Sequence, residues 1–194
     1  MSSVVISGDT SGAITVSAPA VAGTNTLTLQ AATATNAVNT LATAVASTSG
    51  TAIEFTNLPS WVKKITVMFA GVSVSSTSSI QVQLGTGSTT YTTTGYVGGA
   101  ARFGTSTLSG TSVTTGFSLF NTAAAALISG SMTITNLTGN TWSASGTAGS
   151  ADSTSFAMVT AGSIALAAAL TAVRITTTGA DTFDAGSVNI LYEG

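Results

Sequence analysis

Short alternations of apolar and small residues open the chain. Val4 and Ile6, then Ile14 and Val16, follow a period of two on either side of Gly8-Asp9-Thr10-Ser11-Gly12, a turn signal. After Pro19 and the turn-like Gly23-Thr24-Asn25, Leu27 and Leu29 alternate with Thr. Each run holds two or three apolar residues, too few for an independent core. Residues 1–30 are therefore expected to form an extended β-arm, stable only against a partner or its own copies.

Residues 31–50 contain no Gly or Pro before Gly50. Ala34, Val38, Leu41 and Val45 are spaced 4, 3 and 4 apart, which is heptad spacing and places them on one helical face. Five Thr within 31–49 lower helix propensity. The segment reads either as a short helix, with Val38, Leu41 and Val45 in a trimer seam, or as a Thr/Ala-rich linker.

From Thr51 to Gly194 the pattern is β throughout. Trp61, Ile65, Val67 and Phe69 sort onto one face, opposite Lys64, Thr66 and Met68. Ile80, Val82 and Leu84 alternate with Gln81 and Gln83, the pattern of a half-buried strand. Phe117 with Leu119, and Val188, Ile190 and Tyr192, alternate likewise, while Val173 and Ile175 face away from Arg174. Thr138-Gly139-Asn140-Thr141 is a two-residue hairpin loop. The simplest register opposes Leu137 to Trp142 and Thr135 to Ala144, with Met132 and Ile134 on the other face. Leu137 and Trp142 then face outward and need a cover, which makes them candidate trimer-interface residues. The Ala runs at 123–126 and 167–169 are too short for stable helices and read as loops or strand ends. Gly95-Tyr96-Val97-Gly98-Gly99 reads as a turn. About eight strands without βαβ alternation predict an all-β fold, a jelly-roll-type β-sandwich over 51–194.

Composition sharpens this picture. Four Lys+Arg and six Asp+Glu make 5% charged residues, where an ordinary soluble domain has about a quarter. Such a neutral surface favours association and suits an assembled subunit. No Cys and no His are present, so disulfides, thiolate zinc sites and His-based catalysis are excluded. Four cations and a net charge of −2 exclude a basic nucleic-acid surface. Mean hydropathy is +0.51, yet the longest apolar runs, 123–128 and 164–170, fall far short of a membrane span, and no signal peptide is visible. Asp181 and Asp184 are the near carboxylate pair, better read as turn residues than as an acid/base pair. No Ser-x-x-Lys or phosphate-loop motif occurs. The residues point to no enzyme and no cofactor or metal. Tyr91, Tyr96, Trp61 and Trp142 are candidate aromatic platforms, Tyr91 and Tyr96 the candidates for glycan contact.

The opening S-G-D-T-S-G-A-I-T-V-S-A-P-A-V-A-G-T-N-T-L-T-L-Q resembles the N-terminal segment of tailed-bacteriophage fibre and appendage proteins. The stretch I-E-F-T-N-L-P-S-W-V-K-K-I-T-V-M-F-A-G-V-S, with Q-L-G-T-G and T-T-G-Y, resembles their C-terminal β-domain, as does L-T-A-V-R-I-T-T-T-G-A-D-T-F-D-A-G-S-V-N-I-L-Y-E. The resemblance implies a virion protein assembled in the bacterial host cytoplasm. It implies a homotrimer docked on other virion proteins, tail or capsid, through residues 1–30, with the β-domain facing outward. Two roles follow: a short tail fibre that attaches to a host-surface glycan, or a purely structural decoration, cement or head-fibre protein. Unlike long fibres, this chain has almost no shaft.

Overall fold

The structure is a computed structural model that describes residues 3–7, 13–17, 38–104, 108–120, 123–124, 126–151 and 156–194. The chain divides into two units, Met1–Asn36 and Ala37–Gly194. In the first, β1 (Ser3–Ser7) and β2 (Ala13–Ser17) pair antiparallel, with Val4 opposite Val16 and Ile6 opposite Ile14. These are the two alternations read from the sequence. Leu27, Leu29 and Ala34 lie outside the described residues.

The second unit is all antiparallel β-structure, with no helix among the described residues. Its strands are β3 (Asn39–Leu41), β4 (Val45–Ala46), β5 (Ala52–Phe55), β6 (Lys64–Val74), β7 (Ile80–Gly85), β8 (Val97–Gly104) and β9 (Leu108–Val113). There follow β10 (Phe117–Leu119), β11 (Leu127–Thr138), β12 (Thr141–Ala151), β13 (Phe156–Ala165), β14 (Ala172–Thr177) and β15 (Phe183–Glu193). A four-stranded sheet runs β10-β7-β14-β5. A nine-stranded sheet runs β3-β15-β6-β11-β12-β13-β8-β9, with β4 also on β15. From β5 onward the chain steps repeatedly between the sheets, staying in the larger one for β8–β9 and β11–β13. The nine-stranded sheet, widened by the meander β11-β12-β13, is broader than the eight-strand jelly roll suggested by the pattern.

One core joins the two sheets. The smaller contributes Ile53, Val82, Phe117, Val173 and Ile175; the larger contributes Ile65, Val67, Met132, Ile134, Met158 and Ile190. β12 shows the alternation most plainly: Trp142, Ala144, Ala148 and Ser150 are buried, while Ser143, Ser145, Thr147 and Gly149 are exposed. Gly98 and Gly162 are partners on β8 and β13, where a Cβ on Gly98 would lie 2.2 Å from the Ala161 carbonyl. A Cβ on Gly162 would approach Phe117 to 3.4 Å. The missing side chains let the backbones of β8 and β13 approach closely, and the fully buried Phe117 ring lies beside Gly162 with Tyr96 edge-on at 5.0 Å. Gly98 and Gly99 are thus strand residues rather than a turn.

Three sequence expectations are corrected. The helical reading of 31–50 fails for its described part, because residues 39–41 and 45–46 are strands on β15. Backbone groups of Val38, Ala42 and Ser47 bond to Gly194, Ile190 and Gly186, so an open sheet edge satisfies donors that a helix would have used internally. Residues 38–50 therefore belong to the sandwich. Second, the hairpin register is one residue off. A bulge between Asn136 and Thr138 opposes Trp142 to Asn136 and Ala144 to Ile134. The extra residue, Leu137, is left outside the ladder and turned to solvent at 70% exposure, while Trp142 joins the core face at 4%. Third, Trp61 precedes β6, stays partly exposed and stacks on Tyr192 at 5.8 Å rather than extending the buried row of Ile65, Val67 and Phe69.

Candidate functional site

The outer face of the four-stranded sheet carries the densest polar chemistry of the described residues. Arg174 on β14 lies between Glu54 on β5 and Gln83 on β7, its direct cross-strand partners. Its Nε and Nη2 both donate to Gln83 Oε1, at 3.0 and 2.5 Å, and the guanidinium stacks 4.3 Å from the centre of the Tyr91 ring. The period-two pattern marks Gln81 and Gln83 as a solvated face, yet they are only 5% and 3% exposed. The cause is the turn 114–116, which lies directly on β7. Gln83 Nε2 donates to Thr115 O at 2.8 Å, Thr115 Oγ1 donates to Gln81 Oε1 at 2.9 Å, and Gln81 Nε2 donates to Thr177 O at 3.2 Å. A Cβ on Gly116 would stand 2.9 Å from both glutamine side chains, so only glycine allows the turn this close. Gly116 was the sequence signal that could have revealed the cover.

The candidate glycan tyrosines separate. Tyr96 is 3% exposed, and its hydroxyl accepts the Leu84 N–H at 2.8 Å, so it is a core residue and presents no face to a sugar. Burial pushes its hydroxyl up to about 12, against lowering by the Leu84 N–H and by Arg174. Tyr91 is half-buried, bridged to Gly85, and has one ring face covered by Arg174. Burial first, then the charge of Glu54, raise its hydroxyl to about 12, against lowering by Arg174. The residues marked for a trimer interface separate as well. Trp142 is covered within its own sandwich. Val38, Leu41, Val45 and Leu137 remain exposed at 47%, 63%, 37% and 70%, the first three along the β3–β4 edge.

Asp181 serves a turn as its sequence position implies, whereas Asp184 is a β15 residue and not a turn residue, reaching across to β6. Asp181 Oδ2 accepts the Ser78 N–H at 2.8 Å, and Asp184 Oδ1 accepts the Ser73 hydroxyl. Lys64 and Glu193 pair at 2.6 Å across β6 and β15. Among the described residues, no three Asp or Glu side chains cluster as a metal site would require.

Beside the glutamine network is a cleft of about 200 Å³, at the β10 edge of the four-stranded sheet. Gln81 and Ser118, cross-strand partners on β7 and β10, line it with Thr111, Thr115 and Phe120. Among the described residues none that lines it is charged, though the Arg102 guanidinium lies 5.9 Å from the centre of the Phe120 ring. Ser118 is 5% exposed, and its hydroxyl has no hydrogen-bond partner. The Ser118 oxygen is closed off from the cleft, so the accessible polar groups there include those of the exposed residues Thr111 and Thr115. Comparison with protein-family models, curated proteins and solved structures finds no match to the chain.

Proposed function

We propose that the chain is a structural subunit of a tailed-bacteriophage particle. In this reading it is a short homotrimeric fibre, docked by its N-terminal unit, that holds its sandwich outward to attach to a host-surface glycan. The observation that supports this most is the division of the chain. The first unit pairs two five-residue strands, and such a hairpin is marginal alone in water. The second unit carries a complete core. A segment that needs a partner, joined to a domain that does not, suits a docked and displayed subunit. The resemblance of both parts to phage appendage sequences supplies the setting. The trimer no longer has a coiled-coil basis; the exposed β3–β4 edge, with Val38, Leu41 and Val45, is the surface offered for subunit contact.

A chain beginning at Ala37 should keep a β-rich circular dichroism spectrum and fail to incorporate into particles. Normal incorporation would remove the docking role. A second reading, a capsid decoration or cement protein, is favoured by the outer face of the nine-stranded sheet. There Ser131, Thr133, Ser143, Ser145, Thr147 and Ala161 form an uncharged surface, hollowed by a depression of about 360 Å³, that suits contact with another protein. Adsorption of the purified full chain to host cells is expected for the fibre and not for the decoration protein.

A further inference from the structure

We infer that the two open edges of the nine-stranded sheet join head to tail between copies of this chain, β9 of one copy hydrogen-bonding to β3 of the next. This rests on the homotrimer reading and names the surfaces that close the trimer.

The edges differ in how they are guarded. Among the described strands of the second unit, β10 and β5 end the smaller sheet, and β9 and the β3–β4 side end the larger. β10 is buried throughout and β5 carries Glu54. The other two are largely exposed and hold no charge and no Pro. β9 is the longer, six residues in unbroken register with β8, and no described strand lies beyond it. Every second residue of such a strand turns its N–H and C=O away from its one partner, and charges, Pro or a bulge normally guard those groups. Another extended strand satisfies them, and a second copy carries one. The cleft beside the 114–116 turn starts at Thr111, so residues 108–110 stand clear of it.

Strand direction selects the pairing. Every neighbouring pair on the eight-strand path from β3 to β9 is antiparallel, so β3 and β9 run in opposite directions. Copies docked on one particle point the same way and are related by rotation about an axis along their strands. β9 of one copy then meets β3 of the next antiparallel, and the sheet continues across the joint. An antiparallel pair of β9 with β9 needs a two-fold axis that points the copies in opposite directions.

The exposed apolar residues match as well. Leu108 pairs with Phe103 and Leu41 with Leu191, and the two leucines are 73% and 63% exposed. Partners followed across the sheet from Leu41 pass through Leu191, Thr133 and Ala161 to Ser112 on β9. Ser112 and Leu108 share a face of β9, so both leucines lie on the outer face of the sheet. Opposing them in the joint builds one apolar row, Phe103, Leu108, Leu41 and Leu191, across four strands of two copies. It staggers neighbouring copies by about four residues, as closing a sheet around an axis requires. Neither β9 nor β3 carries a charge, so no like charges meet there.

The test uses cysteines, of which the chain has none. Leu41→Cys and Leu108→Cys are made singly and together in the full chain; both positions are exposed, so the core is untouched. Directly opposed antiparallel residues stand about 4.5–5.5 Å apart at Cα, within the about 4.4–6.8 Å that a disulfide spans. On oxidation the double variant should run as covalent dimer and trimer on a non-reducing gel, and each single variant as monomer. Leu108→Cys combined with Leu137→Cys, which is exposed but lies on neither edge, should stay monomeric. Leu108→Lys should weaken assembly at least tenfold in sedimentation, with the β-rich circular dichroism spectrum kept. A dimer from Leu108→Cys alone, cross-linking of the Leu137 pair as strong as that of the Leu41 pair, or assembly unaltered by Leu108→Lys would each overturn the proposal. Sedimentation of the parent protein separates it from the reading beneath it. A trimeric parent whose double variant does not cross-link keeps the trimer and rejects this joint. Cross-linked products that run past the trimer keep the joint and reject the closed trimer, and a monomeric parent without cross-linking rejects both.

Discussion

Replacing Arg174 by Met keeps an unbranched side chain on β14 and removes the guanidinium. Gln83 Oε1 then loses both donors, while Gln83 itself is only 3% exposed. A buried acceptor stripped of its donors costs about 1–3 kcal/mol. The cation also leaves the Tyr91 ring, a loss of about 0.5–1 kcal/mol at a partly exposed site. Relief from desolvating the charge offsets part of this. The expected net loss is about 1.5–3 kcal/mol. Gln83→Leu removes the orphaned acceptor but breaks the bond to Thr115 O. The double variant should therefore lose less than the two single losses added, by about 1 kcal/mol or more. Urea unfolding of the full chain, followed by tryptophan fluorescence, measures all three. An Arg174→Met protein within about 0.5 kcal/mol of the parent, with additive effects in the double variant, would refute the claim that this network fastens the 114–116 turn to β7.

Other substitutions probe separate parts of the fold. Tyr96 holds its proton more tightly folded, near 12, than unfolded, near 10. Its contribution is complete below pH 10 and is lost as pH rises toward 12, at up to about 1.4 kcal/mol per pH unit. Tyr96→Phe should cost about 1 kcal/mol at neutral pH through the lost Leu84 bond, and should flatten the alkaline fall in stability measured by denaturant titration. Trp142→Ala should cost about 3–5 kcal/mol without changing the sedimenting species, and Leu137→Asp should stay within about 0.5 kcal/mol; weaker assembly with an unchanged unfolding midpoint for Trp142→Ala would return it to an interface. Gly116→Val should lift the turn from Gln81 and Gln83 at a cost of about 1–3 kcal/mol, read as a lower urea midpoint.

Much of the sandwich is legible in the period-two runs, because a strand buried on one face must alternate. Ile65, Val67 and Phe69, Val173 and Ile175, and Val188 and Ile190 all face the core as their spacing implies. The failures have local causes. Gln81 and Gln83 look solvated because alternation reports side-chain polarity, whereas a polar face can be buried under a turn that supplies its hydrogen bonds. Counting outward from the loop pairs Leu137 with Trp142, and one bulged residue reverses the face of every position so counted. The stripe Val38, Leu41, Val45 mimics a heptad because Leu41 and Val45 fall on two short edge strands separated by three residues, with Val38 just before the first. What decides between helix and strand there is the open edge of β15, which lies some 150 residues further along the chain and carries no local signature. The cleft was not legible at all. Ser118 reads as any Ser in a strand until its neighbours leave its hydroxyl without a partner.

The uncharged outer face of the nine-stranded sheet also governs how such a protein would respond to its medium. Across β8, β9, β11, β12 and β13 the charged residue is Arg102, opposite the buried Met158 and held 4.9 Å from the Phe156 ring on the core side. The outward positions therefore hold no ions to screen. Any assembly closed through that face would have an association constant nearly independent of ionic strength, because a shorter Debye length changes nothing between neutral groups. Joints of that kind would hold alike in dilute water and in brine.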